Sequence, residues 1–469
     1  MDARVSSAEN TYPQSYPQQS GPDPRPCRRP AGRKPGPTPE HQDLARQLHA
    51  VRRHCFPELN DWFQDLPDPR RQDLCVYSAS HLWWQILMTF LLRGGSRNAF
   101  DATRNTGELP ENLLRLCGQS WDPERLGERR TVTCSENARH HASRIPTEAV
   151  APIPLKMVRR LMKMRLLDDA RLFNSWWMIL IDGTLQDRGR KVRGREARYR
   201  YVLEAKLVGP AGTVFHLMTE FVDVHDPVRD KEDCELNAFR RLAVRLKKAF
   251  PRLSICLMMD GLYAVEPVFA ICRQYEWKFI ITLKEGRQPD AWGEAVQTLM
   301  LEPAHTLVCR RQGEAGWIEQ TLRWTERVAF GEHHFQVLFA GEIGPATATL
   351  WCWVTNFTLH RDRVHALANQ GGRAREGIEN EFNVEKNGGF GLEHAFCANT
   401  TASHNYHILM QIARTLWLLL AKGCLHRLMR ACRKVTDVAL VDLLRTSLLT
   451  IRLSTDSPAL GQIRFLSSS

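Results

Sequence analysis

The sequence predicts an α/β fold built on a mixed sheet, and three observations carry that reading. Extended segments follow one another in meander order between about residues 176 and 223. Helices and strands then alternate to about residue 285, and a second β-rich stretch interrupts the pattern before the chain turns helical again. A chain of 469 residues exceeds what a single core usually holds, so several structural units are expected.

Residues 1–40 are rich in Pro, Gln, Ser, Gly and Arg and cannot bury enough apolar surface to fold, which predicts a disordered, mildly basic tail. Residues 41–170 read as helical. The segment "SHLWWQILMTFLL" ends at Gly94-Gly95, a new segment opens at Ser96, and "PENLLRLCG" has Pro at its start and Gly at its end. The last segment of this group sets Lys156, Arg159, Arg160, Lys163 and Arg165 beside Leu155, Val158, Leu161 and Met162, so a basic helical domain is expected.

From 171 to 285 the texture changes. "WWMILIDG", "YRYVLEAKLVG" and "TVFHLMTEFVD" read as strands, the last two joined through Pro210-Ala211-Gly212 as a hairpin. A helix follows with Leu236, Phe239, Leu242, Ala243, Leu246 and Phe250 on one face; the acids Glu232, Asp233 and Glu235 read as its dipole-stabilised first turn. A fourth strand ends at Asp260, and "KFIITLK" is a fifth after an intervening helix. Residues 286–350 read as an all-β insertion, and 351–469 as the remainder of the core with C-terminal helices.

The formal charge of +12 and a pI near 9.2 point to a polyanionic partner. Thirteen cysteines with no C-x-x-C pair argue against a disulfide framework or a standard zinc module and fit a reducing, cytosolic setting. The N-terminus lacks an apolar signal core, and the apolar window Tyr406 to Leu425 is broken by Gln411 and Arg414, so a buried helix is expected there and not a membrane span. No phosphate-loop, dinucleotide-binding or serine-elbow string occurs.

Two strands carry the same device: "MILIDG" brings Asp182 to a glycine, and "CLMMDG" repeats it at Asp260. If those strands are neighbours, the two carboxylates meet and repel unless a cation lies between them. Hard oxygen ligands suit Mg²⁺ or Mn²⁺, and chemistry with two ions roughly 3.5–4 Å apart needs a third acid. In "REGIENEFNVEKN" the helical phase selects among glutamates. Glu379 lies about 40° and Lys386 about 20° from Arg375 around the axis, whereas Glu381 and Glu385 point elsewhere. Glu393, beyond a glycine-rich stretch, is a reserve ligand.

The spacing Arg375-x3-Glu379-x6-Lys386 resembles the tail of the Y-x2-R-x3-E-x6-K signature of a branch of bacterial insertion-sequence DDE transposases. The resemblance spans about residues 171–425. It implies a ribonuclease-H-like core interrupted by the β-rich insertion, with Asp182, Asp260 and Glu379 as catalytic acids holding two Mg²⁺ or Mn²⁺ ions. It further implies phosphodiester hydrolysis at transposon ends and strand transfer into target DNA, by a homodimer assembled on double-stranded DNA in the bacterial cytoplasm, at the nucleoid. Arg375 and Lys386 would contact phosphates, and the helical segment before residue 170 would bind the ends. This chain departs from the signature at Gly372, where the tyrosine would stand. The basic run holding Arg190, Lys191, Arg193 and Arg195 leaves the strand of Asp182 and reads either as a solvated hairpin loop or as a DNA-phosphate contact. A metal-dependent nuclease without strand transfer and a catalytically silent DNA-binding descendant remain the alternatives.

Overall fold

The computed structural model describes residues 43–119, 131–188, 199–224, 231–301, 305–313, 316–344, 348–394, 396–424, 435–454 and 465. The first strands are β1 (Trp177–Arg188), β2 (Tyr199–Val208) and β3 (Val214–Val224), a meander whose second hairpin turns through Pro210–Gly212 as the sequence predicts. β4 (Ile255–Met259) and β5 (Lys278–Thr282) then run parallel to β1, each reached through a helix, Lys231–Ala249 and Glu266–Gln274. Both short strands are apolar and largely buried, as strands covered on two faces must be.

The insertion differs from the all-β expectation in two ways. It opens with a helix, Pro289–Leu301, whose Ala291, Ala295 and Leu299 are buried at i, i+4 and i+8. Its strands β6 (Thr306–Gly313), β7 (Gly316–Phe330) and β8 (His333–Ile343) are followed by β9 (Ala348–Thr355), which pairs antiparallel with both β8 and β5. The insertion therefore extends the core sheet, and the nine strands form one mixed sheet in the order β3-β2-β1-β4-β5-β9-β8-β7-β6. Across that junction Glu342 of β8 accepts from Arg311 and Arg373, and Gln320 and Asn369 exchange reciprocal amide hydrogen bonds.

Around Gly94-Gly95, Ser96 and Gly118, helices before residue 170 start and stop where the sequence places them, whereas the segment from Thr147 is two helices, Thr147–Val150 and Pro152–Lys163. Ser78 and Ser96 accept from the His81 and Ala99 amides as N-caps, and Gly95 and Gly118 take left-handed φ values of 71° and 75° after the helices they follow. These helices pack on the C-terminal ones. Asn112 donates to the Leu448 and Ile451 carbonyls from the neighbourhood of helix Asp437–Thr450, and Asn405 of the long helix Thr400–Leu418 donates to Ala142 and Ile145. Among the described residues, no helix is long and apolar enough to cross a membrane.

One face of the β2–β1 region lies under helices Glu376–Asn387 and Thr400–Leu418, and the joint is ionic. Lys206, essentially buried, contacts Glu204 at 2.8 Å and Glu385 of the glutamate helix, while His407 contacts Glu204 at 2.6 Å. Arg414 clasps Glu381 through both carboxylate oxygens. Glu381 and Glu385 thus turn into the protein, away from the face shared by Arg375 and Glu379, as the helical phase requires.

Candidate active site

Parallel pairing of β1 with β4 ends at Leu180↔Met258, and two residues further along each strand stand Asp182 and Asp260. Because side chains alternate faces, equal offsets from a paired position direct both acids to the same side. Asp260 leaves β4 and caps the turn Gly261–Tyr263, accepting the Leu262 amide at 2.9 Å. Asp182 does not end its strand, contrary to the sequence reading: β1 continues to Arg188 because β2 keeps pairing with it as far as Tyr199. The acid instead marks where β1 loses β4 as a neighbour.

Each acid is followed by glycine for a steric reason. A Cβ on Gly183 would lie 2.0 Å from the Tyr201 hydroxyl, and one on Gly261 would lie 3.1 Å from the Thr282 carbonyl oxygen.

The third acid arrives through a π-helical turn, Leu367–Gly371, and a 3₁₀ turn, Gly372–Arg375, which lead into helix Glu376–Asn387. Arg375 bridges the motifs. One guanidinium nitrogen is 3.3 Å from Asp182 Oδ2, and the other terminal nitrogen pairs with Glu379 Oε1. Burial pushes the Asp182 carboxyl up to about 7, against the pull of Arg375 and with the repulsion of Asp260 adding to it. No family model matches the chain, and no curated protein matches it.

Lys386 shares the azimuth of Arg375 without sharing its neighbourhood. Eleven residues of helix separate them by about 16 Å along the axis, and the Lys386 ammonium contacts Glu393 at 3.1 Å. Helical phase reports direction around the axis but not distance along it, so the sequence grouping of three narrows here to Arg375 and Glu379. Glu393 lies beyond the helix end, as expected, and is this lysine's partner.

At Gly372 a Cβ would sit 2.3 Å from the Trp353 ring of β9. That buried indole fills the room a side chain at 372 would need. Arg190, Lys191, Arg193 and Arg195 lie outside the described residues. Arg200, from the same basic run, is buried and donates to the Ala398 carbonyl and Thr400 Oγ1.

Among the described residues, no three Asp, Glu, His or Cys side chains are gathered as a metal cage. The acids present are Asp182 within β1, Asp260 just beyond the end of the adjoining β4, and Glu379, joined to Asp182 by Arg375. Their oxygens are the hard donors that suit Mg²⁺ or Mn²⁺, and a half-buried Asp182 beside Asp260 is a carboxylate whose ionised form a cation would stabilise.

The sequence places Glu235 in a dipole-stabilised first turn, and the structure corrects this. Glu235 is the fifth residue of its helix and buried, and it accepts hydrogen bonds from Tyr201 (2.9 Å) and Tyr263 (2.8 Å). The signal was present: Glu235 lies four and seven residues before Phe239 and Leu242, on the apolar face of its own helix.

Proposed function

We propose that this protein is a DDE transposase, which hydrolyses a phosphodiester at each transposon end and directs the freed 3′-hydroxyl to target DNA. The observation that carries the reading is the Arg375 guanidinium spanning Asp182 and Glu379 at the edge where Asp260 also emerges. Three separately spaced sequence features thereby converge at one place. A meander followed by two parallel strands, interrupted before the glutamate helix, supports the ribonuclease-H-like core that the resemblance implies.

In this reading Asp182, Asp260 and Glu379 hold divalent cations, which when bound supply Lewis acidity and a lowered pKa for a coordinated water or hydroxyl. Arg375, already at the acids, offers paired N–H donors to the non-bridging oxygens of the scissile phosphate. Asp260 is oriented by the Leu262 amide and Asp182 by the Gly183 amide, so neither carboxylate has to be organised when DNA arrives. The net charge of +12 favours the phosphate backbone as partner.

The test begins with a search for inverted repeats flanking the reading frame, and a supercoiled plasmid carrying the repeats so found is then incubated with protein and Mg²⁺. Nicking at the repeat ends followed by joining is the expected result. Nicking without joining would reduce the function to a nuclease, and neither would remove catalysis from the reading. A second expectation concerns the basic run: replacing Arg190, Lys191, Arg193 and Arg195 with Gln lowers DNA affinity and flattens its salt dependence, by about 0.9 in slope for each phosphate no longer neutralised. Binding titrations at several salt concentrations without metal measure this, and an unchanged slope assigns the run to solvent.

A further inference from the structure

We infer that Glu235 is a positioning residue that sets the separation of Asp182 and Asp260 by clamping the backbone beneath each of them. It extends the proposed function, on which its kinetic and metal readouts rest. The two hydrogen bonds reach different parts of the site. Tyr201 comes from β2, on the sheet face opposite Asp182, and its hydroxyl lies against the backbone of Gly183 so closely that no side chain fits there. Tyr263 closes the turn that Asp260 caps, and its ring packs edge-on against Phe239 of the helix carrying Glu235.

One carboxylate, buried with both tyrosines, therefore ties the strand under the first acid to the turn under the second. A buried carboxylate is costly unless its oxygens are hydrogen-bonded, and here each oxygen takes one tyrosine hydroxyl. The clamp also explains the glycine after the first acid, since Gly183 is what lets Tyr201 come near enough to act. Substitution of groups that orient metal ligands typically costs about 10–100-fold in metal affinity or activity.

The experiment compares full-length wild type with Glu235→Gln, Glu235→Ala, Tyr201→Phe and Tyr263→Phe by three readouts. These are backbone hydrogen exchange of segments 178–186 and 256–264, Mn²⁺ affinity, and the rate and KM of DNA cleavage. A glutamine amide can accept from one hydroxyl and donate to the other, so Glu235→Gln should stay close to wild type in all three. Glu235→Ala should speed exchange in both segments, weaken Mn²⁺ binding about tenfold and lower kcat about tenfold, with KM for DNA changed less than about twofold. Should the alanine variant fail to fold, the phenylalanine variants carry the test: Tyr201→Phe should speed exchange mainly in 178–186, and Tyr263→Phe mainly in 256–264. Unchanged exchange in the alanine and phenylalanine variants overturns the clamp. A glutamine variant as impaired as alanine overturns it as well, because the charge itself would then be required. A wild type that neither binds Mn²⁺ nor cleaves DNA sinks the proposed function, and the exchange comparison alone then decides whether Glu235 clamps the two backbones.

Discussion

Asp182→Asn, Asp260→Asn and Glu379→Gln are each expected to lower metal-dependent cleavage by roughly a thousandfold or more, a barrier increase of about 4 kcal/mol. The substitutions are nearly isosteric and keep one carbonyl oxygen. An asparagine in place of Asp182 can still accept the Gly183 amide, and one in place of Asp260 can still cap the turn through the Leu262 amide. What they remove is carboxylate charge at the one place where three motifs meet. Folding should survive in all three, and Asp182→Asn should not lower thermal stability much, because burial already disfavours the ionised acid. Cleavage kinetics and an end-DNA binding assay measured on the same preparations separate chemistry from binding. Near-normal cleavage in any one variant would remove that residue from the site. Alanine at Glu381 or Glu385 is a different experiment: each removes a buried carboxyl group from its cation partner, Arg414 or Lys206, so activity lost there must be judged against the unfolding curve.

The second large effect is on stability. Lys206→Met should destabilise the fold by about 3–5 kcal/mol near neutral pH, since it leaves the Glu204 carboxylate buried without its cation. The pH dependence has a definite sign. Burial first, then the charges of Glu204 and Glu381, against the pull of Lys206, raise the Glu385 carboxyl from 4.5 to about 8. A folded pKa above the unfolded one means the native state binds the extra proton. The stability this contributes is complete below pH 4.5 and is lost as pH rises through about 8. His216, His407 and Arg414 face the same cluster from β3 and the long helix. Urea unfolding at acidic and alkaline pH, on either side of this window, should show Glu385→Gln with a flatter profile than wild type, and Lys206→Met with a smaller deficit at the lower pH. Parallel profiles for wild type and Glu385→Gln would show that this carboxyl does not titrate in that window.

What was readable in the chain was local. Apolar periodicity located β1 to β5 and the intervening helices, and turn chemistry placed the hairpin at Pro210–Gly212. Helical phase separated Glu379 from Glu381 and Glu385 because direction around an axis depends on spacing alone. The failures were of distance and partner choice. Lys386 shares a phase with Arg375 but lies farther along the helix, against Glu393, and β1 outran its acid because β2 extends its pairing. β9 joined the insertion to β5 through pairs such as Ile280↔Thr355, too far apart in sequence for any local pattern to encode. The ionic joint has a trace in the sequence: Glu204 and Lys206 are two charges two residues apart between apolar neighbours of β2, hence on one face.

The continuous sheet has a mechanical consequence. Six strand steps separate β1 from β6, so at roughly 20–25° per step the strand direction turns through roughly 120–150° between the acids and the far edge. The orientation of the insertion toward the acids is therefore wound into backbone hydrogen bonds, much as the pitch of a propeller blade is fixed in the casting. Side-chain changes at the junction of β5 and β9 leave that pitch untouched. A bulge or a lost strand between them would re-aim the whole outer half at once.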